Sequence, residues 1–118
     1  MNDFLPPRPR CYNSGPISGT GYLEAYERFR RNDGHILSRY GLNPVNPMLL
    51  GLRPSRPYWM HILYDLWLLL RCDAVCFQRG WEKSRGARIE YRVARLLRLK
   101  VLLPDDSGER KRHPIKKE

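Results

Sequence analysis

Ser84, Gly86 and Glu90 follow a short apolar run, Ala74–Gln78, at spacings that could hold an anion beside a carboxylate. Gly80 marks a turn after the run, and Ser84 is a residue type that caps helix N-termini. A helix start presents unpaired backbone N–H groups and a partial positive charge, which favour an anion. Glu90 falls six residues after the cap, about one and a half turns into the helix. A carboxylate near a held anion suits a phosphorylated sugar better than a bare apolar ligand. The same residues have plainer readings. Glu90 could be an exposed carboxylate pairing with Lys83, Arg88 or Arg92, Ser84 a cap alone, and Gly86 a packing glycine.

Two further segments carry candidate chemistry. Asp65 interrupts the most apolar helical stretch of the chain, four residues after His61, so the two share a face. An unpaired buried carboxylate is costly, which favours a directed role for Asp65 over a surface charge or a pair with His61 or Arg71. Tyr12 ends a short strand and leads into Asn13–Gly21, where Gly15, Ser18 and Gly19 lie in a Gly/Ser/Pro loop of the kind that cradles phosphate. Trp59, Trp67 and Trp81 read as core, with Trp81 the one placed to stack on a base. Arg85, Arg88, Arg92 and Arg95 recur every three or four residues as one basic stripe, either facing nucleic acid or simply solvated.

The elements that must position these groups alternate. Strands are expected near 10–14, 42–47, 74–78 and 100–103. Helices are expected from Tyr22 to about Arg31, where Asp33-Gly34 could end the first, from Tyr58 to Arg71, and from Ser84 to about Arg98. In the second helix Trp59, Ile62, Leu63, Leu66, Trp67, Leu69 and Leu70 are expected to face inward. Residues 48–57 read as a Pro/Arg-rich loop. The alternation predicts an α/β fold, a small parallel sheet of about four to five strands flanked by helices. In such a sheet ligands bind beyond the carboxyl ends of the strands, where the Tyr12 loop and the Ser84 helix would converge.

The chain has 118 residues, enough for one domain: a Pro-rich extension at 1–9, a folded unit at 10–104 and a basic tail at 105–118. Its formal charge of +10 favours an anionic partner, and nucleic acid could use the tail. Cys11, Cys72 and Cys76 form no C-x-x-C pair and read as free thiols in a reducing cytoplasm. His35, His61 and His113 are too scattered to complete a metal site, so no metal or cofactor is expected. The apolar run Leu66–Leu70 is too short to span a bilayer.

Tyr12-Asn13-Ser14-Gly15-Pro16-Ile17-Ser18-Gly19, Gly41-Leu42-Asn43-Pro44-Val45-Asn46-Pro47, Cys72-Asp73 and the segment Gly80–Glu90 occur in order. Together, over roughly residues 10–103, they resemble the nucleoside 2-deoxyribosyltransferase-like superfamily, closest to a small branch found in phages and prophages. The resemblance implies a flavodoxin-like (Rossmann-like) sheet and a homodimer or larger homo-oligomer. It implies Glu90 as nucleophile on the anomeric carbon, Asp65 as the acid on the helix before the central strand, Asp73 as that strand's own Asp, and Tyr12 as the residue that positions Glu90. Ser84 with Gly86 resembles the 2′-deoxynucleoside 5′-monophosphate N-hydrolases, which hold the 5′-phosphate there, rather than the transferases, which have Asp at the first position. Asn13 stands where an apolar residue is usual, and Ser18 stands where the hydrolases have Arg.

Three functions are therefore expected in turn. The first is an N-glycosidase or deoxyribosyltransferase acting on a (deoxy)nucleoside monophosphate, the second a non-catalytic nucleotide-binding module, and the third a nucleic-acid accessory protein.

Overall fold

The computed structural model describes residues 5–17, 21–50 and 57–104. Ser18, Gly19 and the expected basic tail lie outside them. Four strands are present among the described residues: β1 (Arg10–Ser14), β2 (Asn43–Val45), β3 (Ala74–Phe77) and β4 (Lys100–Leu102). All pair in parallel, in the order β2-β1-β3-β4. Four α-helices accompany them: α1 (Tyr22–His35), α2 (Pro47–Leu50), α3 (Tyr58–Leu70) and α4 (Arg85–Leu96). The fold is α/β, as expected, with a sheet of four strands. No helix among the described residues is long and apolar enough to cross a membrane.

β3 is apolar throughout because both faces of the sheet are covered. Val75 and Phe77 join Tyr12 of β1 in a core with Leu68 and Leu69 of α3 and Ala87 and Ala94 of α4. Cys11, Ala74 and Cys76 point the other way and pack with Ile36. All three cysteines are buried and outside any disulfide, and burial pushes the Cys72 thiol up to about 12, which makes it inert. Pro44, which cannot donate to a ladder, sits in β2 at the sheet edge, opposite Cys11. At the amino end, Asp73 accepts from the Arg10 backbone N–H at 2.8 Å and pairs with Arg8. Residues of the N-terminal extension pack on the domain, with Leu5 in the core.

Helix α1 does not stop at Asp33-Gly34. It runs to His35 and continues as a π-helical turn, Ile36–Tyr40, that ends at Gly41 with a φ of 66°. Burial of Ile36 holds the chain helical past the local stop signal, and the left-handed conformation that only glycine adopts readily ends it seven residues later. Asp33 acts elsewhere: its carboxylate accepts from Asn13 Nδ2 at 2.8 Å and from Asn46 Nδ2 at 2.9 Å. Asn13 is fully buried, also donates to the Phe29 carbonyl, and accepts from Asn32 and Gln78. This network of side-chain amides fixes the end of β1 against α1. Asp33→Ala leaves the buried Asn46 amide without that acceptor, and should cost about 1–3 kcal/mol. A urea unfolding midpoint unchanged from the wild type would show that the network contributes nothing.

Helix α3 buries less than its sequence predicts. Leu68 and Leu69 are buried, whereas Trp59 (62% exposed), Leu63 (59%) and Leu70 (54%) face outward. A helix apolar around most of its circumference cannot cover every side against one sheet. Pro47, expected to close the second extended segment, and residues 48–50, expected as the start of the loop, form the short helix α2 (Pro47–Leu50) instead.

Candidate active site

The strand period places the first two groups. Tyr12 and Ser14 stand two residues apart on β1, so both side chains leave the same face of the sheet. The Tyr12 hydroxyl donates to Glu90 Oε2 at 2.8 Å, and the Ser14 hydroxyl donates to Glu90 Oε1 at 2.6 Å. Each carboxylate oxygen thus has its own hydroxyl donor. Ser14 was not expected, although the alternation that points Tyr12 at α4 would have found it.

Glu90 comes from the inward face of α4, where Ala87, Glu90 and Ala94 are the buried residues. It is 5% exposed, so it is not a surface partner of Lys83, Arg88 or Arg92. Burial raises its pKa to about 7, and the two hydroxyl hydrogen bonds pull in the opposite direction by favouring the charged form. Helix α4 starts where the sequence places it. Ser84 is its N-cap, and Ser84 Oγ accepts from the Ala87 N–H at 3.2 Å. That bond uses an acceptor lone pair of the hydroxyl and leaves its hydrogen free to donate.

Glu90 opens on a cavity of about 720 Å³ at the carboxyl end of β1, within the size range of small-molecule sites. Its lining includes Tyr12, Gly15, Asp65, Ser84, Gly86 and Glu90, so the structure brings together six of the expected residues. Asp65 reaches it from α3, its carboxylate makes no hydrogen bond among the described residues, and its pKa is raised to about 8 by burial and then by the charge of Glu90. His61 also lines the cavity, as do Lys83 and Arg85 near the start of α4.

Two glycines matter here for space. A Cβ on Gly86 would lie 3.3 Å from Ile62 Cδ1, so Gly86 allows α4 to start close against α3. A Cβ on Gly15 would come within 2.5–2.8 Å of the Gln78 carboxamide, which is buried and bonded to Asn13 and Arg28. Arg28 also donates to the Pro16 carbonyl, bracing the loop that lines the cavity.

Trp81 is not where stacking on a base would need it. It lies in a short 3₁₀ turn, Trp81–Lys83, with its ring 4.8 Å from Phe77 and 4.9 Å from Tyr91, and it is not part of the cavity lining. The gain from packing a large indole on two rings explains the placement. Asp73 sits at the amino end of β3, away from the cavity, where it ties β1 to β3. The arginine stripe is a surface face: Arg88 donates to the Glu82 carbonyl, Arg95 to the Tyr91 hydroxyl, and Arg85 alone of the four lines the cavity. Among the described residues no cluster of three or more His, Cys, Asp or Glu side chains could hold a metal ion.

These features define an α/β protein with paired acidic side chains in a cavity at the carboxyl end of a parallel sheet. Residues 9–103 match the family model described as a domain of unknown function (DUF4406), and the chain belongs to that family. No curated protein and no solved structure matches it.

Proposed function

We propose that this protein is an N-glycosidase of the nucleoside 2-deoxyribosyltransferase-like type, cleaving the base–sugar bond of a (deoxy)nucleoside 5′-monophosphate. The observation that carries the reading is Glu90, buried, held at both oxygens by Tyr12 and Ser14, and open to a cavity it shares with Asp65. A carboxylate fixed in that way stabilises the positive charge that develops on the anomeric carbon as the base leaves. Glu90 attacks that carbon and forms a glycosyl ester. The C–N electron pair departs with the base, and Asp65 delivers its proton to the leaving nitrogen. Asp65, now a carboxylate, takes a proton from water, the water oxygen attacks the anomeric carbon, and the ester bond to Glu90 breaks. A sugar acceptor hydroxyl or a second base in place of water would make the same site a transferase. The 5′-phosphate is assigned to the Ser84 hydroxyl and the first-turn N–H groups of α4, with Lys83 and Arg85 supplying positive charge.

Incubation with a panel of nucleoside and deoxynucleoside monophosphates, with free base read by chromatography, tests the reading. Base release by the wild type and none by Glu90→Ala supports it. Ligand-dependent thermal protection with no product from any member would replace it with a nucleotide-binding module.

The assembly belongs to the same proposal, as does a cytoplasmic location, which suits three free thiols. Tyr58 and Ile62 of α3 line the cavity, while Trp59 and Leu63 beside them face outward. Exposed apolar groups grouped this way mark an interaction surface. A second copy seated on them would close the cavity rim. The native mass by light scattering is expected to be that of two chains or more, and Leu63→Lys should reduce it to one. A wild-type monomer at assay concentration would remove the assembly from the proposal.

A further inference from the structure

A chain of side-chain hydrogen bonds joins two stretches of the cavity wall. It starts at the loop after β1, where Arg28 of α1 donates to the Pro16 carbonyl and to Gln78 Oε1. Gln78 Nε2 donates to Asn13 Oδ1 at 2.7 Å, and Asn13 Nδ2 donates to Asp33 Oδ1 at 2.8 Å. The other carboxylate oxygen of Asp33 accepts from Asn46 Nδ2 at 2.9 Å. Asn46 in turn caps α2, its Oδ1 accepting from the Met48 N–H at 2.9 Å. Pro16 and Ile17 line the cavity at one end of this chain, and Pro47 and Met48 line it at the other. Asn13, Asn46 and Gln78 are buried, so a partner lost from the chain is not replaced cheaply by water. Asp33 is the joint: one oxygen holds the end of β1 and the other holds α2.

We propose, resting on the glycosidase reading, that Asp33 is a positioning residue for the base, which it serves by fixing the spacing between the β1 loop and α2. In that reading Glu90 stands at the anomeric carbon and the phosphate at the start of α4. The base then lies toward the rest of the lining, where Pro16, Ile17, Phe29, Pro47 and Met48 are apolar. Apolar faces on two sides suit a planar base, held by stacking and close contact. Asp33 is not part of the lining, so it acts on the ligand through the residues it holds. A wall drawn back by about 0.5–1 Å forfeits about a quarter to a half of each dispersion contact it makes.

Binding is measured by calorimetry with each nucleoside monophosphate of the panel and with 2-deoxyribose 5-phosphate, which has the sugar and phosphate but no base. The chains also carry Glu90→Gln, so that nothing is cleaved. Asp33→Ala should weaken nucleotide binding by about tenfold, the scale of a lost stacking face, and leave the sugar phosphate within about twofold. The exchange Asp33→Asn/Asn46→Asp should restore nucleotide affinity. Its new amide accepts from Asn13 and donates to the new carboxylate, which still accepts from the Met48 N–H. Met48→Ala trims a half-buried wall residue and leaves the chain of bonds whole, so its own selective loss of nucleotide tests the wall even where Asp33→Ala fails to fold. A merely structural Asp33 would lower the melting temperature and weaken both ligands alike. Equal loss for both ligands, unchanged nucleotide affinity in Asp33→Ala or in Met48→Ala, or an exchange that restores the melting temperature but not the affinity would each overturn the proposal. So would a chain that binds no nucleotide. Nucleotide bound with this selectivity, yet never cleaved by the wild type, would overturn the glycosidase step alone.

Discussion

Glu90→Gln is expected to lower base release by about a thousandfold or more while leaving the protein folded and able to bind its ligand. The amide has the size and shape of the carboxyl group, and its oxygen can still accept from Tyr12 or Ser14. It cannot form the glycosyl ester, and it offers no negative charge to the oxocarbenium-like transition state. A thousandfold loss corresponds to about 4 kcal/mol of transition-state stabilisation, ordinary for a group that acts at the reacting carbon. Tyr12→Phe removes one of two donors and keeps the ring in the core, so its effect should be smaller, about tenfold. The pair separates catalysis from architecture: a merely structural Glu90 would lose stability and activity in proportion. Steady-state kcat/KM, thermal melting and ligand-induced thermal shift on the same preparations make the distinction. Full turnover by Glu90→Gln would sink the nucleophile assignment.

The sequence carried the site further than it carried the packing around it. β1, β3 and the start of α4 were legible because their signals are local: a short apolar run, a glycine turn, a serine cap. Those three elements deliver Tyr12, Ser84, Gly86 and Glu90 to one cavity. What was not legible depends on contacts distant in sequence. Asp33-Gly34 looks like a helix stop, yet Ile36 finds a pocket beyond it and Asp33 finds Asn13 and Asn46. Asn13 looks out of place in a buried strand until the amides of α1 and Gln78 satisfy it. Trp81 reads equally as core and as a stacking platform, and the rings that decide for core come from Phe77 and Tyr91. Helix α3 is apolar on more sides than one chain can cover, so the inward set could not be told from an interface set by periodicity alone.

Under the proposed mechanism a narrow pH optimum follows from the two acidic groups. Glu90 must be ionised to attack, and its pKa lies at about 7. Asp65 must hold its proton for the leaving base, and its pKa lies at about 8, with the charge of Glu90 helping to keep the proton on. The rate should therefore rise as pH passes about 7 and fall as it passes about 8, with both limbs belonging to the pair as a unit. Glu90→Gln removes the neighbouring charge, so Asp65 should titrate lower in that variant, visible as a carboxyl signal in carbon nuclear magnetic resonance. The same shifts set a trend in stability. Both carboxyls bind protons more tightly when folded than when unfolded, so their stabilising contribution is full in acid and is lost as pH rises through about 7 to 8. Unfolding free energy contributed by this pair falls between about pH 4 and pH 8. Asp65→Asn, neutral at every pH, should remove part of that slope and raise the melting temperature at pH 8 by about 4 °C or more, equivalent to about 1 kcal/mol. The same substitution should abolish the alkaline limb of the rate profile and slow base release by about a hundredfold or more, the usual scale of a lost general acid. A pH profile of Asp65→Asn that keeps its alkaline limb would assign that limb, and the proton on the leaving base, to another group.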